Sequence, residues 1–239
     1  MLSLRDITKR YPNGTQVLQG LNLTLEKGSI LGLVGESGCG KSTLARIICM
    51  LEDFQGGDIC LDGVSYRKLK VQERRLVRRR VQMVFQDASG SLDPRQRVFH
   101  MLQEPLRNYE SLSRSALQKR VEGLLKAVGL DTAKAENYPH ELSGGQRQRV
   151  LIARALATEP EYLICDEPVS SLDQENQERI LALLVPLLKA KRLSCLFITH
   201  DISLAARVSG GILVMRAGKI EEERSACAAG SYGEAGISC

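Results

Sequence analysis

Apolar residues cluster or alternate over short spans early in the chain, at residues 2–7, 17–25 and 29–34, the last an almost continuous apolar run. Spans of that length and patterning predict strands, and the continuous run predicts one buried on both faces. Glycines follow, and from residue 41 Leu44, Ile47, Ile48 and Leu51 recur at helical spacing, so a glycine-rich turn joins a buried strand to a helix over 41–51. A further strand is expected at 57–61. Between about 87 and 141 the pattern becomes helical and more polar, with Leu117, Val121, Leu124, Leu125 and Val128 marking a helix over 113–128. Strands return at 162–165 and 194–199, separated by a helix over 174–191. Pro186 inside that helix removes a backbone hydrogen bond and predicts a kink. Strands alternating with helices imply an α/β fold with a largely parallel sheet.

A chain of 239 residues can bury one substantial core, and one compact unit with a subdomain is expected rather than two small domains. Apolar residues at 43% and charged residues at 26% exclude a disordered or low-complexity chain. The longest apolar run, 180–188, is about half of the ~20 residues a membrane-crossing helix needs. The first residues lack the apolar stretch of a secretory signal, so a cytoplasmic location is expected. Seven scattered cysteines with no CxxC pair and no metal-ligand spacing read as reduced thiols. The small, glycine-rich stretch 226–239 has no apolar periodicity and is expected to be a poorly ordered tail.

The net charge of +5 and the cluster Arg74, Arg75, Arg78, Arg79 and Arg80 raise the question of nucleic acid. Aromatic residues make up only 4% of the chain and none interleave the cluster, so the stacking platform of single-strand binders is missing. That leaves duplex binding open by itself, but a solvated helix face is the expected reading, and no nucleic-acid partner is expected.

Gly35, Glu36, Ser37, Gly38, Cys39, Gly40, Lys41 and Ser42 fit GxxxxGK followed by Ser or Thr, between a predicted strand and a predicted helix. Glycines let the backbone curl so that successive N–H groups face one anion, and the helix adds its positive end. Lys41 is expected to reach the β- and γ-phosphates of ATP and Ser42 to ligate Mg²⁺, with Thr43 completing the nucleotide-binding stretch. An ordinary glycine turn is the alternative, and the strand–turn–helix placement argues against it. Tyr162, Leu163, Ile164 and Cys165 lead into Asp166 and Glu167, an apolar strand ending in two acids. There Asp166 suits the Mg²⁺ shell and Glu167 suits a general base that polarises the attacking water; alone, the pair reads equally well as solvated acids at a strand end. Leu142, Ser143, Gly144, Gly145 and Gln146 precede an amphipathic run, so Ser143 caps a second helix whose N-terminus can take an anion. Two anion sites in one chain suggest a nucleotide shared between two chains.

With LSGGQ and the phosphate loop in order from about residue 4 to 221, the sequence resembles the ABC-transporter ATPase family. The resemblance implies a P-loop core with a mostly parallel sheet, an antiparallel N-terminal β subdomain and a helical signature subdomain near 87–157, together one ATPase domain over 1–225. It implies that Ser143, Gly144, Gly145 and Gln146 close over the γ-phosphate held by the opposite subunit's loop. Tyr11 in KRYPNG resembles the adenine-stacking aromatic, Gln86 in MVFQD the glutamine that touches Mg²⁺ and the attacking water, and His200 in FITHD the histidine that contacts the γ-phosphate. Asp173 in SSLD resembles the key acid of the loop by which the subunits sense each other, with Ser171 where alanine is more usual.

DASGSLDPR after Gln86, with Asp93 in place of the usual asparagine, resembles a segment of oligopeptide, dipeptide and nickel uptake ATPases, as do GESGCGKSTLAR and YPHELSGGQRQRV. The group's usual His-Pro-Tyr extension has no counterpart here, so no role is carried over from it. The resemblance implies a second ATPase subunit in a heterodimer or homodimer, permease subunits in the membrane, an extracytoplasmic substrate-binding protein, and a peripheral place at the cytoplasmic face. Exporter ATPases and ABC ATPases that act on ribosomes or DNA are the rivals; a single loop, a single signature and no heptad run favour transport.

Overall fold

The computed structural model describes residues 1–86 and 88–225, so the expectation for 226–239 falls outside it. In chain order the elements are β1 (Leu2–Arg10), β2 (Gln16–Leu25), β3 (Ile30–Val34), α1 (Lys41–Ile48), β4 (Gly56–Leu61), β5 (Val64–Ser65), α2 (Val71–Arg80), β6 (Val81–Val84) and α3 (Ala88–Ser91). They continue with α4 (Val98–Tyr109), α5 (Arg114–Ala127), α6 (Gly144–Leu156), β7 (Tyr162–Asp166), α7 (Gln174–Ala190), β8 (Ser194–Thr199), α8 (Ile202–Val208), β9 (Gly211–Arg216) and β10 (Lys219–Ser225). The fold is α/β with a P-loop core, a mostly parallel central sheet, an antiparallel N-terminal subdomain and helical regions. Two compact units divide the chain, one of Met1–Leu69 with the chain from Ser194 onward, the other Lys70–Leu193.

In the first unit, β1 pairs antiparallel with both β2 and β4, which gives a sheet in the order β2-β1-β4-β5. Leu2, Leu4 and Ile7 of β1 are buried, and Leu4 faces Leu23 on one side and Ile59 on the other. The apolar β3 runs parallel to both β8 and β9, as a strand flanked on both edges and both faces should. Gly32 lets α8 lie close on β3: a Cβ there would come within 2.8 Å of Ser209 Oγ and 3.2 Å of the Ala205 Cβ. A tight turn through Ala217 and Gly218, both at positive φ, returns the chain as β10, antiparallel to β9.

In the second unit, β6 and β7 pair in parallel, and the helices α4 to α7 supply most of its core. Leu117, Val121 and Leu125 of α5 are buried, as the periodicity predicts, and Val128 closes that helix as its C-cap. The predicted helix over 174–191 is α7, which continues through Pro186. Helix α2 carries the arginine cluster. Arg74, Arg75 and Arg78 are exposed, while Arg79 pairs with Glu110 at 3.1 Å and Arg80 with Glu161 at 2.6 Å. Exposed Arg75 also donates to the Asn108 carbonyl and lies over the Tyr109 ring, so exposed members of the cluster are tied to neighbouring elements as well.

Candidate functional site

The phosphate loop, Gly35 to Gly40, leaves the C-terminal end of β3 and enters α1. Its first and last glycines are required by close backbone approaches. A Cβ on Gly35 would lie 2.3 Å from the Met215 carbonyl oxygen, and one on Gly40, at φ 111°, would lie 2.9 Å from that of Val17. Gly40 is also the N-cap of α1, and no side chain caps that helix, so its first N–H groups face the loop uncapped. Lys41 is only 5% exposed, and its ammonium donates to the carbonyls of Gly35 at 2.7 Å and Glu36 at 2.8 Å. The lysine's charge is thus held against the carbonyls of the loop itself. A helix start with no side-chain cap and one buried ammonium suits a polyphosphate, and the Ser42 hydroxyl at the same helix end suits a hard cation such as Mg²⁺.

Tyr11, one residue past β1, comes to the first turn of α1: its hydroxyl and the Thr43 hydroxyl are 3.2 Å apart. The Lys9 ammonium lies 5.2 Å from the centre of the Tyr11 ring. His200 emerges at the same sheet edge as the loop, because Thr199 of β8 is in register with Val34 of β3. Its side chain is exposed.

Parallel register does the same work in the second unit. Val84 of β6 is paired with Cys165 of β7, so Gln86, two residues past β6, Asp166, the last residue of β7, and Glu167, just past it, gather at the C-terminal ends of adjacent strands. Asp166 is 4% exposed. Glu167 turns the chain sharply out of the strand at φ 46°, a left-handed conformation uncommon for a residue with a side chain. Its carbonyl accepts from the Ser170 N–H and hydroxyl, and its Oε2 accepts from Gln86 Nε2 at 3.1 Å. A carboxylate so held, beside a second and buried one, can orient a water and supply an oxygen to a divalent cation.

Ser143 caps α6 as its sequence predicts. Its hydroxyl accepts from the Gln146 N–H at 3.3 Å while the Gln146 side chain accepts from the Ser143 N–H at 3.0 Å, a reciprocal capping box. Asp173 caps α7 in turn, with its carboxylate held by Asn176. The main-chain N–H of Asn176 first, and then its side-chain amide, hold the Asp173 carboxyl below the usual carboxylate range. Sequence reasoning missed Asn176, because an asparagine in the first turn of a helix looks like any other polar surface residue. Its only signal is the spacing of three from a capping aspartate. The sequence-predicted residues thus fall into local groups: Tyr11, the loop and His200 in the first unit, and Gln86, Asp166 and Glu167 in the second. Also in the second are Ser143, Gly144, Gly145 and Gln146, and Asp173, which is hydrogen-bonded to Asn176, a side chain lying close to Gly145.

A buried strand that runs through a glycine loop into a helix, with paired acids closing another strand of a mostly parallel sheet, defines a P-loop nucleotide-hydrolase fold. The comparisons narrow that class. The ABC transporter family model matches residues 18–170. The nickel import ATP-binding protein NikE of Escherichia coli (strain K12) is 42% identical over 230 residues, covering 93% of this chain and 86% of NikE. The dipeptide transport ATP-binding protein DppF of the same strain is 39% identical over 232 residues, covering 93% of this chain and 70% of DppF. Among solved structures, the dimeric ATP-binding cassette MJ0796 bound to ADP and Pi superposes with a TM-score of 0.85 at 32% identity. That match covers 95% of this chain and 99% of that one. The chain belongs to the ABC transporter family. It is an ATP-binding and ATP-hydrolysing subunit related to the peptide and nickel importer ATPases. Family and fold imply ATP as its nucleotide and a multi-subunit transporter as its setting, and among the described residues no helix is long and apolar enough to cross a membrane.

Proposed function

We propose that this chain powers an importer of the peptide or nickel type, as one ATPase domain over residues 1–225 whose helical subdomain lies near 87–157. It works at the cytoplasmic face of the membrane with a second ATPase subunit, beneath permease subunits that receive cargo from an extracytoplasmic binding protein. Tyr11 stacks on adenine. The loop from Gly35 to Gly40 with Lys41, Ser42 and Thr43 binds the phosphates, and Ser42, Gln86 and Asp166 hold Mg²⁺, which offsets the charge that builds on the phosphoryl oxygens. Glu167 polarises the attacking water, and His200 contacts the γ-phosphate. Ser143, Gly144, Gly145 and Gln146 close on the ATP of the other subunit, and Asp173 reports that subunit's state.

The observation that most supports hydrolysis is the parallel register of β6 and β7, which brings Gln86 within 3.1 Å of the Glu167 carboxylate. A base hydrogen-bonded to the Gln86 amide is held where it can orient the attacking water. Import rather than export is supported by the 42% identity to NikE and the 39% identity to DppF. In Ser143→Arg the added side chain blocks the cap from approaching a facing γ-phosphate. ATP should still bind at the chain's own loop while hydrolysis by the assembled transporter collapses, and hydrolysis at the wild-type rate would refute the shared site. Purifying the chain from membranes with whatever accompanies it identifies the permease and, through its binding protein, the cargo.

A further inference from the structure

The two segments that the proposed function turns toward a second subunit, the signature stretch and the Asp173 loop, meet within this chain on a single side chain. Asp173 Oδ1 accepts from the Asn176 N–H at 3.0 Å, and Asp173 Oδ2 accepts from Asn176 Nδ2 at 2.7 Å. The opposite end of the same amide lies against the start of α6. A Cβ on Gly145 would come within 2.9 Å of Asn176 Oδ1 and 3.3 Å of its Cγ. One residue earlier, a Cβ on Gly144 would lie 3.4 Å from Leu172 Cδ2, and the Leu172 carbonyl is itself tied to Gln177 Nε2 at 3.0 Å. Both signature glycines are therefore seated on the residues that flank Asp173.

The planar amide makes this arrangement directional. Its donor end is fixed on a carboxylate, so its oxygen is turned toward Gly145. Aspartate at 176 would set a second carboxylate against Asp173, and an apolar residue would release it. We propose that Asn176 is a positioning residue that joins the Asp173 loop and the signature glycines into one piece, so that a displacement of the loop by the other subunit carries the signature helix with it. The inference rests on the proposed roles of Ser143, Gly144, Gly145, Gln146 and Asp173. It adds a second reason for glycine at 145: the position must clear Asn176 of its own chain as well as a facing nucleotide.

The test compares the full chain and its Asn176→Ala, Gly145→Ala and doubly substituted forms. Contact between the two residues makes thermal stability non-additive, with the double variant melting higher than the sum of the single losses, because removing the Asn176 amide clears the space that a methyl group at position 145 needs. In the transporter assembled with its membrane partners, Asn176→Ala should raise the ATP concentration for half-maximal hydrolysis several-fold. Binding of ATP to the isolated chain should stay unchanged. A purely structural asparagine would lower the melting temperature and leave that ATP dependence where it is. Additive melting losses, or an unaltered ATP dependence, would overturn the proposal. Ser143→Arg separates the two layers: if it is inactive while Asn176→Ala behaves as wild type, only the role of Asn176 fails. Wild-type hydrolysis in Ser143→Arg means that the shared site itself has failed.

Discussion

At the scale of single residues, several positions are occupied twice over, by a chemical role and by a structural one. Asp173 carries the proposed signal between subunits and is also the N-cap of α7. Because its folded carboxyl titrates below the usual range, the stability it lends is present above the ordinary aspartate value of about 3.9 and is lost as pH falls through the lower folded value. Thermal melts should therefore show a gap between wild type and Asp173→Ala that is full at neutral pH and closes only under strongly acid conditions. A gap that changes between neutral and mildly acid pH would contradict the capping geometry. Candidate residues were legible where a motif marks them, as with Lys41, Ser42 and the Asp166–Glu167 pair. Asn176 was not, since its importance comes from what α6 brings against it, and no local pattern encodes a neighbour so far away along the chain.

At the scale of elements, hydrophobic periodicity predicted the interior well and the ends less well. The strand over 194–199 and the helix over 113–128 match β8 and α5 with its two caps. The helix expected to reach residue 51 stops at Ile48, because Met50 turns to φ 55° and leaves Leu51 exposed. The region after 200 received no elements from its pattern. Its helix α8 is only seven residues long, too short to display a period, and β9 and β10 are identified as a hairpin chiefly by the turn at Ala217 and Gly218. Leu125, fully buried on α5, and Leu76, exposed on α2, test the packing directly. Leu125→Ala should cost about 2–5 kcal/mol in urea unfolding. Leu76→Ala, with no cavity to create, should stay within about 0.5 kcal/mol of wild type. Equal losses at the two positions would contradict the assigned faces.

At the scale of the whole molecule, the chain carries one phosphate loop and one capped signature helix, and the proposed function needs the complement of each from a second subunit. That dependence explains why the sequence could be read as an ATPase long before any cargo could be read from it. The residues that hold nucleotide are in this chain, whereas those that choose cargo belong to its proposed permease and binding protein. The central claim, that this subunit hydrolyses ATP with Glu167 as base, is tested most directly in the transporter purified through this chain. There ATP turnover of wild type and Glu167→Gln is measured side by side, together with ATP binding. The expected result is that Glu167→Gln binds ATP as wild type does while the turnover due to this subunit disappears, leaving no more than its partner's own share. Full wild-type turnover in Glu167→Gln would contradict it.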